Sequence, residues 1–152
     1  MKLLLTILLF CTLSLAQKAD KPKPVSRYMR DMGILYLETV EELTPDCGRK
    51  SIQDSDCMSR WESATKSIED RIDIALNDRT QRHSPGDVPY WNLLKNVKYA
   101  RKLYATIDPP QRKAWSDAYI ACYAYAHTVA IEGDYFNGDG GCNDAIGAAT
   151  HQ

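Results

Sequence analysis

Three sets of side chains have types and spacings that could do chemistry. The first lies in Glu132 to Gly147, EGDYFNGDGGCNDAIG, which holds three aspartates, two asparagines, five glycines and a cysteine. An oxygen-rich, glycine-rich loop can wrap a hard cation such as calcium, with Asp134, Asp139 and Asp144 as ligands. An EF-hand register fails here. Starting at Asn137 puts Cys142 in the glycine slot, starting at Asp134 puts Phe136 at a ligand position, and neither start reaches a closing glutamate. A phosphate loop fails too, because GxxxxGK[ST] is absent and no lysine follows Lys113. What remains is turn chemistry: Asn137-Gly138 and Asp139-Gly140 tolerate positive φ and would reverse the chain after Gly133. No metal or cofactor is expected, with calcium on the three aspartates as the alternative.

The second set is histidine. His83 falls in a polar loop and His151 in the tail, while His127 sits one helical turn after Tyr123. Ser116 and Thr128 offer hydroxyls, but neither stands in a GxSxG motif. A lone helical histidine is expected to be a packing or surface residue. A hydrolase using His127 with calcium near Asp139 is the alternative.

The third set is a row of lysines. From Tyr90 to Ile107 the chain has Lys95, Lys98, Arg101 and Lys102 and no acidic residue. From Ala114 onward there are five acidic residues and no lysine or arginine, and an earlier segment carries Glu62, Glu69, Asp70 and Asp73. Pairing between helices is the expected use of this segregation. A basic stripe of Lys95, Lys98 and Lys102 for an anionic partner is the competing one. Loss of Lys2 with a leader reduces the 19 basic residues to 18 against 20 acidic, a formal charge of −2. Near-neutrality disfavours nucleic acid and anionic membranes as bulk electrostatic partners.

The elements that must position these residues follow from periodicity. MKLLLTILLFCTLSLAQ has a basic start, an apolar run too short to span a bilayer, and Ser14 and Ala16 at the positions of a cleavage site. Residues 1–16 therefore read as a signal peptide cleaved near Ala16, giving a secreted or periplasmic protein with no transmembrane segment. Removing Cys11 leaves Cys47, Cys57, Cys122 and Cys142, an even set that argues for two disulfides. Of three pairings, Cys47–Cys57 and Cys122–Cys142 close the short local loops and are preferred.

Residues 17–24 form a basic, proline-containing arm expected to be an extended, solvated leader. Four helical stripes fill residues 25–133. The first is Val25, Met29, Met32, Tyr36, Val40 and Leu43, ending at Thr44-Pro45. The second is Cys57, Trp61, Ala64, Ile68, Ile72 and Ala75, preceded by cap oxygens on Asp54, Ser55 and Asp56. The third is Tyr90, Leu93, Leu94, Val97, Ala100, Tyr104 and Ile107, with Asp87 as N-cap. The fourth is Trp115, Ala118, Tyr119, Cys122, Ala126 and Val129, with Asp108 as N-cap and Gln111 completing a capping box. Residues 134–152 form a Gly/Asp-rich tail that folds back on the last helix. The expected fold is all-α: a single-domain bundle of about four helices with a disulfide-pinned tail.

The fourth helix is unusual, because Ala118 to Ile131 carries no formal charge. Ile120, Ala124 and Ile131 lie opposite its inner stripe. A helix apolar all round is expected to be buried on several sides, here by the other helices and the tail. Otherwise that face meets a partner or a second copy. Function follows as a small exported binding or interaction protein of the inhibitor, immunity or effector type, whose partner is another protein. The alternative is a carrier holding a small apolar ligand among Trp61, Trp91, Trp115 and the tyrosines.

Overall fold

Apolar residues at steps of three and four make stripes that only helix-on-helix packing can bury. The computed structural model, which describes residues 21–49 and 55–152, buries them in an all-α bundle. In chain order the elements are β1 (Lys23–Pro24), α1 (Arg27–Glu41), α2 (Ser55–Asn77), α3 (Asp87–Thr106), α4 (Arg112–Glu132), β2 (Asp134–Tyr135) and α5 (Cys142–Thr150). The leader 1–16 with Cys11, residues 17–20 of the arm, and Asp54 lie outside the described residues. No described helix is long and apolar enough to cross a membrane.

The α1 stripe is buried throughout, from Val25 to Leu43, and the Ser26 hydroxyl caps the helix by accepting from Met29 N at 3.3 Å. The α2 stripe differs by one position. Trp61, Thr65, Ile68 and Ile72 face inward and Ala64 is exposed. A step of four from Trp61 brings Thr65 inside, where its hydroxyl donates to the Trp61 carbonyl at 3.0 Å and needs no other partner. In α3, Tyr90, Leu93, Leu94, Val97 and Ala100 are buried, and so is Arg101. The inner stripe of α4 is Trp115, Ala118, Cys122, Ala126 and Val129. This helix packs on α1, α3 and α5, while α2 leans on α1 and only lightly on α3.

Two expected caps are replaced. Gln111 is the N-cap of α4 without a side-chain bond, so no capping box forms, and Asp108 lies outside the helix. Asp87 is the first residue of α3 instead of its cap. Its buried carboxylate accepts from Ser26 N at 2.8 Å and from Ser84 N at 2.9 Å, so it ties the start of α1 to the start of α3. Gly86 N donates to the Pro24 carbonyl at 2.9 Å, and Val25 N to the Gly133 carbonyl at 2.8 Å. Only glycine fits at position 86, because a Cβ there would meet the Lys23 carbonyl oxygen at 2.5 Å.

The basic arm is correspondingly not a solvated leader at its described end. Lys23 pairs with Tyr135 and Pro24 with Asp134 in a short antiparallel ladder, and Lys23 Nζ donates to Asn137 Oδ1 at 2.7 Å. α4 stops at Gly133, whose φ of 85° is the left-handed C-cap conformation. The chain then reverses through β2 and a 3₁₀ turn, Asp139–Gly141, into α5. Disulfides join Cys47 to Cys57 and Cys122 to Cys142, the latter with Cα atoms 4.4 Å apart. The tail is thus an anchor as expected, but its last part is a helix rather than irregular turn.

Asp87→Ala strands two backbone N–H groups and should lower the unfolding free energy by about 3 kcal/mol. Asp87→Asn, which keeps an acceptor oxygen, should lose less; urea titration of the two variants reads the difference. Alanine at both Cys122 and Cys142 frees a 20-residue separation and should lower the unfolding free energy by about 3 kcal/mol in the same assay.

Candidate interaction surfaces

The bundle takes three sides of α4. The inner stripe enters the core. Along one flank Arg30 Nε donates to the Ala130 carbonyl at 2.8 Å, Arg30 Nη2 donates to that of Ile131 at 3.1 Å, and Tyr123 Oη donates to Glu41 Oε2 at 3.2 Å, so α1 covers that flank. On the other, Tyr125 Oη donates to the Phe136 carbonyl at 2.7 Å and Cys122 is bonded to Cys142, so the tail covers it. The fourth side stays open. Ile120 and Ile131 are each 59 % exposed, and Ala124, His127 and Thr128 between them are exposed too. Burial of this face by the other helices or the tail, the sequence expectation, does not occur. The tail is tethered to Cys122, a member of the buried stripe, and so runs along a flank.

An aromatic row borders the open face. Tyr119 and Tyr123 have ring centroids 5.6 Å apart, and Tyr123 and His127 stack at 6.3 Å with planes 11° apart. The Thr128 hydroxyl is spent on its own helix, donating to the Ala124 carbonyl at 3.0 Å. Asp139 lies by Tyr125, two residues from His127 and so on nearly the opposite side of the helix. The structure does not bring His127 and Asp139 together. Below the row, buried Arg101 lies 5.0 Å from the Tyr119 ring and 5.2 Å from the Tyr104 ring. Its Nη2 donates to the Glu41 carbonyl at 3.4 Å, placing a cation at the C-terminus of α1. Burial lowers the Arg101 pKa, and it pushes the Tyr119 phenol up to about 12.

The three tail aspartates are scattered by role. Asp134 lies in β2, and exposed Asp144 lies in the first turn of α5, where a negative charge suits the helix dipole. Asp139 is buried and its Oδ2 accepts from Asn143 N at 3.0 Å. Among the described residues no three His, Cys, Asp or Glu side chains group to hold a metal.

The lysine row is already engaged. Lys98 Nζ lies 2.6 Å from Glu69 Oε1 and 3.1 Å from Glu62 Oε2, and Lys102 Nζ lies 2.6 Å from Glu62 Oε1. Lys95 sits 5.5 Å over the Trp91 ring, whose Nε1 donates to Asp73 Oδ1 at 2.9 Å. These side chains line a groove of about 320 Å³ between α2 and α3 in which three carboxylates face three lysines. Its charges balance, as the expected pairing between helices requires. Buried beside it, the Tyr36 phenol donates to Glu69 Oε1 at 2.8 Å; burial, and then the Glu69 charge, keep it protonated far above the usual range. The tryptophans are packing residues here. Trp91 meets the Tyr36 ring edge-on at 5.5 Å, Trp115 meets Tyr99 at 5.4 Å, and Lys98 lies 5.4 Å over Trp61.

No family model, curated protein or solved structure matches the chain.

For the Glu62 carboxyl, burial acts upward, but hydrogen bonds and charge from Lys102 and Lys98 outweigh it and hold the group below its usual range. A depressed carboxyl contributes stability that is complete above its ordinary value and lost as pH falls through the folded one. Urea midpoints should therefore fall on acidification below about pH 4.3. Glu62→Gln should flatten that part of the profile while lowering stability at neutral pH by less than about 1 kcal/mol.

Proposed function

We propose that this chain is a small exported binding protein of the inhibitor, immunity or effector type, and that it engages another protein through the open face of α4. Export is inferred from the leader-like first 16 residues together with two disulfides, which persist in oxidising compartments. One observation carries the docking face: Ile120 and Ile131, at 59 % exposure each, stand on an uncharged helix surface with only Ala124, His127 and Thr128 between them. Single exposed isoleucines are ordinary, but an aligned pair on one uncharged ridge is the pattern of a contact surface. Burying each against a partner contributes about 1.5–3 kcal/mol. Exposed Glu38 and Glu41 stand beside Tyr123 at the α1 border of the ridge. The complementary surface therefore has an apolar centre and a basic rim.

A photoreactive residue at position 124 should yield a discrete crosslinked adduct in the native secreted mixture. Ile120→Asp or Ile131→Asp should each weaken that contact at least tenfold. Ile74→Asp is the control, since Ile74 is 71 % exposed on α2 and should leave binding unchanged. An adduct that survives the Ile120→Asp/Ile131→Asp double substitution would place the interface elsewhere.

A further inference from the structure

A second site, apart from the α4 ridge, lies where α3 passes under the tail. The walls outline a groove of about 350 Å³, open on one side, toward the lower end of the roughly 300–1,000 Å³ typical of small-molecule sites. Four side-chain amides line it: Asn92 and Asn96 from α3, Asn137 from the reversing loop, and Asn143 from the first turn of α5. Asn92 and Asn96 are four residues apart and so project from one side of α3. Asn96 Nδ2 donates to Asn143 Oδ1 at 3.1 Å, and Asn137 Oδ1 accepts from Lys23 at 2.7 Å, so three of the four amides are held in place by the same contacts that hold the tail. Leu93, Pro89 and Tyr135 supply apolar wall, with Val88 exposed at the rim.

We propose that this groove binds a neutral saccharide. Each carboxamide carries two donors and an acceptor oxygen, and each sugar hydroxyl both donates and accepts, so neighbouring hydroxyls can satisfy one amide in both senses. The apolar wall suits the C–H face of a pyranose ring. Charge selects against ionic ligands. The one carboxylate in the wall, Asp139, is buried and its Oδ2 is committed to Asn143 N, and the Lys23 ammonium beside the groove is spent on Asn137 Oδ1 at 2.7 Å. A compact, half-open hollow beside the tail fits a ring better than an extended peptide, whose main chain needs a long row of evenly spaced partners.

The test is side-chain amide NMR of the full exported chain, titrated with glucose, galactose, mannose, N-acetylglucosamine, lactose and chitobiose. The expected result is saturable shifts at the amides of Asn92, Asn96 and Asn143 for at least one sugar. Asn92→Ala, at an exposed position, should raise its Kd about three- to tenfold, as should Asn96→Ala, while Ile74→Asp should leave it unchanged. Three results would overturn the proposal: no saturable shift at millimolar sugar, shifts unaffected by Asn92→Ala, or shifts produced by acetyl-trialanine-amide and not by any sugar.

Discussion

The carboxylate of Asp87 is buried where α1 and α3 begin and where the chain returns after α4. Taking a charge out of water is tolerated only when several donors meet it. Here the donors are the backbone N–H groups of Ser26 and Ser84, so the solvation lost by one side chain is replaced by two segments of backbone that must stay in place. Around it, Gly86 bonds Pro24 and Val25 bonds Gly133, which fixes the ends of α1, α3 and α4 relative to one another. The direction of the β1–β2 ladder, and hence the place where the tail starts, depends on this junction.

From that fixed end the two interaction surfaces inherit their character. α1 is held against one flank of α4 by Arg30 and Glu41, whose hydrogen bonds to α4 fix the border of the ridge. The ridge is left uncharged, with two exposed isoleucines, Ala124, His127 and Thr128 and an aromatic border. On the α2 side the opposite holds. Contacts between α2 and α3 are few, and the space between them is bridged by Lys98 and Lys102 reaching Glu62 and Glu69. Charges used to join two helices offer a weaker field to a distant anion.

The helical class, the α1 stripe and both disulfide pairings were legible in the sequence. Each depends on local periodicity or on short loop closure. Legibility failed where one residue had two possible uses. Asp87 and Asp108 both have the chemistry of an N-cap, but Asp87 was drawn to Ser26 from a distant segment, and no capping box forms at Gln111. Thr65 displaced Ala64 because its hydroxyl could be satisfied within its own helix. Arg101 reads as a surface cation on a charged segment, yet two tyrosine rings and the end of α1 draw it inside. The amide groove had no linear signal, since its asparagines lie on three separate segments that only the folded tail assembles.

The placement of α5 decides what α4 leaves open. Its first residue, Cys142, is bonded to Cys122, and its nine residues rise about 13 Å. Over that length it runs toward the start of α4, where Ala149 joins Trp115, Ala118 and Ala100 in a small second core, with Ala145 and Ile146 packed against it. Asn143 meanwhile bonds Asn96, so α5 is held in the channel between α3 and α4. Reaching Ile120 and Ile131 would require it to leave that channel, expose Ala149 and Trp115, and break the amide contact. The contacts that assemble the groove therefore also keep the tail off the ridge, and one short helix determines the availability of both surfaces.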